Sequence, residues 1–143
     1  PFEVLHTSEV LAELIKSGKL ELTQGIGESK ITYHDPCQLG RYCQVYDPPR
    51  EVLRSIPGVE LIEMLRHRGN AWCCGNGADM VRSMDRDLAS GIAGDRIVEA
   101  NESGAEAIVT ACPRCAESLE RVAEGIKVYD LSVVAARSMS IEI

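Results

Sequence analysis

Six cysteines in this 143-residue chain carry most of its chemical potential. They are Cys37, Cys43, the adjacent Cys73 and Cys74, and the pair Cys112 and Cys115. Thiolates are soft ligands that suit iron–sulfur clusters and zinc. Five of the six fall into Cys37, the run Cys73-Cys74-Gly75 and the run Cys112-Pro113-Arg114-Cys115. Such a set is better suited to holding a metal centre than to cross-linking a fold. Cys43 fits no pair and reads as a small apolar core residue. A structural zinc takes four ligands, and a CxxC run is a common zinc half-site. One zinc leaves a thiolate over, and adjacent cysteines make an awkward half-site, whereas a multi-iron cluster accommodates five thiolates. Iron–sulfur and zinc both stand on ligand chemistry alone. A metal-free dithiol at Cys112 and Cys115 is a third reading, and the late position of the motif counts against it.

The residues around the thiols fit anionic sulfur. Pro113 suits a first helical position, so Cys112 and Cys115 lie at a helix start, where free N–H groups favour thiolates. Gly75 and Gly77 let the backbone approach closely, with N–H groups turned toward bridging sulfides. Asp35-Pro36 makes a stiff turn that aims Cys37, and Asp35 reads as a turn residue rather than an acid–base catalyst. Arg41, Arg66, Arg68 and Arg114 lie in or beside the cysteine loops of an otherwise acidic chain. They are either solvated surface charge or groups that bind an anionic substrate and raise a cluster potential. His34 and His67 read as non-ligands, because the thiols already fill the ligand set. Trp72 reads as packing, or as a cover that keeps water from the site.

The elements that must bring these residues together alternate between strand and helix patterns. Phe2 to Leu5 is a candidate first strand. Ser8 is a candidate N-cap for a helix with a Val10, Leu11, Leu14 and Ile15 face, stopped at Gly18. Lys30 to His34 is a strand, Pro48-Pro49 starts a helix to about Ile56, and Val59 to Met64 is a strand. A short extended stretch is expected at Asn70 to Trp72. Ala78 to Asn101 is mostly helical, with Ala89, Ala93, Ile97 and Ala100 on one face. Gly91 and Gly94 mark it for a bend or close packing. Ala107 to Ala111 is a buried strand, a helix runs from Pro113 to about Glu124, and Lys127 to Tyr129 is a last strand. Asp130 caps a final helix. This rhythm predicts an α/β fold: a mainly parallel sheet of about four strands with helices on both faces, in a Rossmann-like three-layer arrangement. In such sheets ligands bind beyond the carboxyl ends of the strands. Cys37, Cys73-Cys74 and Cys112/Cys115 all fall after strands, so the topology gathers them at one edge.

Composition removes several classes of function. The 15 basic and 22 acidic residues give a net charge of -7, which argues against nucleic-acid binding. No apolar run is long enough to span a membrane, and no signal peptide is visible. The cysteines then belong to a reducing compartment, so the expected location is cytoplasmic, or the cytoplasmic face of a membrane complex. The chain opens Pro1-Phe2 without an initiator Met, which is expected of a domain or C-terminal piece of a longer polypeptide.

The runs His34-Asp35-Pro36-Cys37, Trp72-Cys73-Cys74-Gly75 and Thr110-Ala111-Cys112-Pro113-Arg114-Cys115 together resemble the CCG, or cysteine-rich, domain. That domain occurs in two Fe–S subunits (B and D) of heterodisulfide reductase. It also occurs in the Fe–S subunits of glycolate, lactate and anaerobic glycerol-3-phosphate dehydrogenases. The resemblance covers about residues 30 to 122. The stretch between Cys74 and Cys112 is a little longer than the usual spacing, which helix or loop length absorbs. The resemblance implies a non-cubane 4Fe–4S cluster with Cys37, Cys73, Cys74, Cys112 and Cys115 as ligands, and no ligand role for Cys43. Arg41, Gly75, Gly77 and Arg114 then become candidates for contacts with substrate or cluster surroundings. Residues 1–143 form one such domain, expected at the C-terminal end of a longer Fe–S subunit, because ferredoxin-type cysteine runs are absent from this chain. The implied function is an oxidoreductase module that reduces a disulfide such as the coenzyme M–coenzyme B heterodisulfide. The alternatives are an electron relay in a glycolate, lactate or glycerol-3-phosphate dehydrogenase complex, and a structural zinc domain that docks a partner. The implied partners are other Fe–S, flavin or membrane subunits, with a small disulfide or electrons derived from a 2-hydroxy acid.

Overall fold

The computed structural model of the protein describes residues 2–139. Its elements run α1 (Thr7–Lys16), β1 (Lys30–His34), α2 (Asp47–Arg54), β2 (Glu60–Leu61), α3 (Met80–Met84), α4 (Arg86–Glu102), β3 (Ala107–Thr110), α5 (Pro113–Glu120), β4 (Lys127–Asp130) and α6 (Leu131–Ser138). A π-helical turn at Gln38–Tyr42 follows β1, and a 3-10 turn at Arg68–Asn70 follows β2. The four strands make one all-parallel sheet in the order β2-β1-β3-β4. This is the expected α/β architecture.

Side-chain alternation along the strands builds two cores. Ile31, Tyr33, Ala107 and Val109 point to one face, where Val52 and Leu53 of α2 and Leu131, Val134 and Ala135 of α6 cover them. Ile108 points to the other face, against Ala93, Ile97 and Ala100 of α4 and Cys115 and Leu119 of α5. The face Ala89, Ala93, Ile97 and Ala100 is buried as its spacing predicts. Three layers result, with the sheet in the middle.

Several local expectations are corrected. Phe2 to Leu5 forms no strand; Phe2 and Val4 are exposed and pair with nothing. The N-cap of α1 is His6, not Ser8: the His6 ring accepts from the Ser8 N–H, and Glu9 accepts from the His6 N–H at 2.8 Å, a capping box. Ser8 is then buried inside the helix, and Val10 faces solvent. The second strand stops at Leu61, because Met64 crosses to the opposite core and takes the chain off the sheet edge. No extended stretch forms at Asn70 to Trp72. The long helix breaks at Asp85, whose side chain accepts from Leu88 N–H at 2.9 Å and starts α4 afresh. Gly91 and Gly94 sit in unbroken helix with open space beside them, so neither bends it nor permits a close approach. Helix α5 ends at Glu120, four residues before the expected stop at Glu124, as the chain turns toward buried Ile126 and β4.

The strand order matters for function. From β1 the chain first moves outward to β2, then crosses back over β1 to β3 and β4. The connections therefore diverge between β1 and β3. That switch point opens a crevice at the carboxyl ends of the two strands, the usual ligand position in open parallel sheets.

Candidate metal centre

Cys37 lies three residues beyond β1, at the start of the π-helical turn. Backbone bonds from Gly40 N–H to Pro36 O (2.8 Å) and Tyr42 N–H to Cys37 O (3.2 Å) close that turn. π-Turns are rare and concentrate at functional sites. A Cβ on Gly40 would stand 2.9 Å from the Tyr46 ring, so the glycine lets that ring pack directly on the turn. The turn leaves Cys37 exposed at the crevice.

Cys73 and Cys74 come from the crossover between β2 and β3. Gly75 follows in the left-handed region at φ +81, and its N–H donates to Cys73 Sγ at 3.3 Å. A Cβ on Gly75 would stand 2.1 Å from Ala89 O, so the glycine also lets α4 pack directly on the turn. Gly77 is left-handed too, against Val81. Gly75 thus serves close packing and donates its N–H to a thiol, while Gly77 serves the close approach of Val81. Ser118 Oγ donates to Cys74 O at 2.6 Å and ties the turn to α5. On that helix, Cys112 is the N-cap and Cys115 lies in the first turn, with Pro113 between them in its expected place.

All five thiols line one cavity of about 520 Å³ at the switch point. Arg41, Trp72, Gly77 and Arg114 line it as well, and Cys43 does not. Cys43 is exposed rather than a core residue. Arg41 also donates to Ala71 O at 2.7 Å, and Arg114 pairs with Asp79 at 2.6 Å. The other two arginines turn elsewhere: Arg66 stacks on Trp72 at 4.1 Å and pairs with Glu99, and Arg68 pairs with Asp47. Trp72 is partly exposed at the rim, in keeping with a cover. A second hollow of about 420 Å³, lined by Arg82, Arg86 and Arg121, contains no thiol.

Four of the thiols share protons as one system. Hydrogen bonds from Cys115 and Cys73 hold the Cys74 thiol well below its ordinary range, despite burial. Cys73 is raised by donating to Cys74 and by burial, and Cys115 is raised by its bonds to Cys112 and Cys74. Cys112 is lowered to about 6, first by Cys115, then by the N–H groups of Cys115 and Arg114 at the helix start. Four neighbouring thiols whose pKa values are pushed in opposite directions by one another, beside free helix-start N–H groups, form a donor set that fits a multi-thiolate centre.

Two fully buried arginines grip the His34-Asp35 pair from opposite faces of the sheet. On the α2 side, Arg50 donates to both Asp35 oxygens at 2.7 and 2.8 Å and to Glu63 at 2.6 Å. Asp35 also accepts from Arg68 N–H at 2.7 Å, so it is a buried anchor more than a simple turn residue. On the α4 side, Arg96 Nε donates to His34 Nδ1 at 3.1 Å, and its Nη1 donates to Glu99 and Arg66 O. His34 is itself buried and lines the cavity; a ring nitrogen of His34 and the sulfurs of Cys74 and Cys115 lie within 4.8 Å of one another. His67 instead faces Glu63 at 3.9 Å. The sequence carried a signal for these arginines: Arg96 lies on the Ala89, Ala93 and Ala100 face of α4, and Arg50 one turn before Leu53. A charge on an apolar face requires a buried partner.

The profile of the cysteine-rich domain family, CCG, matches residues 31–120. The dihydromethanophenazine:CoB–CoM heterodisulfide reductase of Methanosarcina acetivorans has a D chain that is 37% identical over all of this chain, which covers 36% of that protein. The probable iron-sulfur-binding oxidoreductase FadF of Bacillus subtilis is 41% identical over 96% of this chain, covering 20% of its own length. The EtfAB:quinone oxidoreductase of Syntrophomonas wolfei is 36% identical over 96% of this chain and 21% of its own. The chain thus spans about a third or less of these relatives. The matched residues contain the whole five-thiol crevice, and on that ground the chain belongs to the cysteine-rich CCG domain family.

Proposed function

We propose that this domain is an iron–sulfur redox module, and that Cys37, Cys73, Cys74, Cys112 and Cys115 hold a non-cubane 4Fe–4S cluster. The observation that carries this reading is the gathering of five thiols in one cavity at the β1/β3 switch point. Such a cluster supplies one-electron chemistry at an accessible iron. The protein supplies the rest. Gly75 N–H and the start of α5 stabilise anionic sulfur, Trp72 shields the rim, and Arg41 brings positive charge to the mouth for an anionic substrate, with Arg114 beside the thiols but paired to Asp79.

The substrate we infer is a small disulfide of the heterodisulfide type. Its support is the similarity to a heterodisulfide reductase component across the full chain, together with a cavity open at Cys37. Within a longer polypeptide, other Fe–S, flavin or membrane subunits would exchange electrons with it; no helix among the described residues is itself long and apolar enough to cross a membrane. The similarity to an EtfAB:quinone oxidoreductase favours a second reading, in which the domain relays electrons without binding a disulfide.

Anaerobic reconstitution with iron and sulfide tests the first claim. The expected product is brown protein with about four irons per chain and an EPR signal on oxidation. Colourless protein that takes up stoichiometric zinc but no iron would overturn it in favour of a structural zinc domain. Adding a small thiol to the oxidised protein separates the two redox readings: a changed EPR spectrum supports a substrate-binding cluster, and an unchanged one supports the relay.

A further inference from the structure

His34 lies beside the thiols, with a ring nitrogen within 4.8 Å of the Cys74 and Cys115 sulfurs. Arg96 is fully buried and its Nε lies 3.1 Å from His34 Nδ1. A guanidinium has only donors, so Nδ1 of His34 must be the acceptor and carries no proton. The single proton of the neutral ring is then on Nε2. Placing it on Nδ1 would set two N–H groups against each other at 3.1 Å between two buried side chains. Arg96 is fixed in turn by Glu99 at 2.8 Å and Arg66 O at 2.7 Å, both through Nη1. The guanidinium therefore cannot rotate away without losing its counter-ion.

We propose that His34, locked by Arg96 as the Nε2–H tautomer, donates a hydrogen bond to the Cys74/Cys115 sulfur pair and so raises the reduction potential of the centre. The proposal rests on the cluster reading above. It excludes His34 as a ligand, although its ring and the two sulfurs have a spacing that suits a metal ion. A donor to a ligating sulfur withdraws electron density and favours the reduced, more negative cluster. His34 acts directly on the sulfur; Arg96 is a positioning residue that acts through it.

Two measurements test this. NMR of the metal-free chain labelled with 15N-histidine reads the tautomer, and the expected protonated nitrogen is Nε2. An Nδ1-protonated ring would overturn the proposal whatever the metal content. Potentiometry of the iron-loaded chain then compares wild type with His34→Leu, which removes the donor, and His34→Gln, whose amide can replace it. We expect His34→Leu to take up the same iron but to shift the reduction equilibrium about tenfold toward the oxidised form, about 59 mV for one electron. His34→Gln should recover most of that shift. Equal potentials in wild type and His34→Leu, with iron intact, would overturn the donor role and leave the cluster reading standing. If wild type takes up no iron, both fall together. If His34→Leu does not fold, His34→Phe, which keeps an aromatic ring of similar size without a donor, takes its place: a potential equal to wild type with iron intact overturns the proposal.

Discussion

At the scale of single residues, the site divides into thiols that line the crevice and charges that stand behind it. Cys43 is exposed and outside the cavity, whereas Cys74 is buried at the centre of the thiol network. Cys43→Ser should therefore leave iron content unchanged, while Cys74→Ser should abolish stable loading, as counted by iron per chain after gel filtration. The buried charges predict a pH dependence. Burial opposes ionisation of Glu99, but the Arg66 N–H and the Arg96 side chain lower its pKa below the ordinary value. A carboxylate lowered in the folded state contributes stability that is fully present above its unfolded pKa and is lost as pH falls through the folded one. Glu99→Gln should destabilise the domain by about 3–5 kcal/mol at pH 7, because it leaves Arg96 buried without its counter-ion. Urea unfolding should show the gap between wild type and Glu99→Gln narrowing as pH falls below the normal carboxylate range near 4.5. A gap that stays constant would remove Glu99 from this role.

At the scale of elements, α4 is the support of the site. It presents Ala89 and Ala93 to the Cys73-Cys74-Gly75 turn, Arg96 to His34, and Ile97 and Ala100 to the core. Small residues there let backbone meet backbone. Gly75→Ala brings a Cβ 2.1 Å from Ala89 O at a left-handed φ of +81. The left-handed conformation alone costs an alanine about 1–2 kcal/mol, and the displaced helix adds more. We expect a fall in Tm of roughly 5–10 °C together with weakened iron uptake, since the turn carries two of the thiols. Gly91 is the contrasting position in the same helix. A Cβ there meets nothing, so Gly91→Ala should stabilise by about 1 kcal/mol without touching the site. Thermal denaturation of the two variants side by side separates packing at the turn from intrinsic helix preference.

At the scale of the whole molecule, the five thiols come from the β1–α2 loop, the β2–β3 crossover and the start of α5. A metal centre would bind these connections together in the folded state only. Loading should raise Tm, and chelation should reverse it, by mass action worth about 4 kcal/mol when free ligand is 1,000 times Kd. Anaerobic calorimetry with equal transitions in loaded and metal-free protein would show that the centre does not couple the three segments. The amino-acid sequence by itself determined the strands β1 and β3, the buried alanine face of α4 and the order of the cysteine runs. Each of these is a local pattern: a β-branched run, a helical period, a spacing. Tertiary structure alone decided the short β2, the break at Asp85 and the two arginine grips on His34 and Asp35. These depend on partners far along the chain. His34 and Arg96 are 62 positions apart, and Met64 leaves the sheet for a core that α4 and α5 complete. Local periodicity carries no information about which distant group will neutralise a buried charge, and that choice is what holds the site in place.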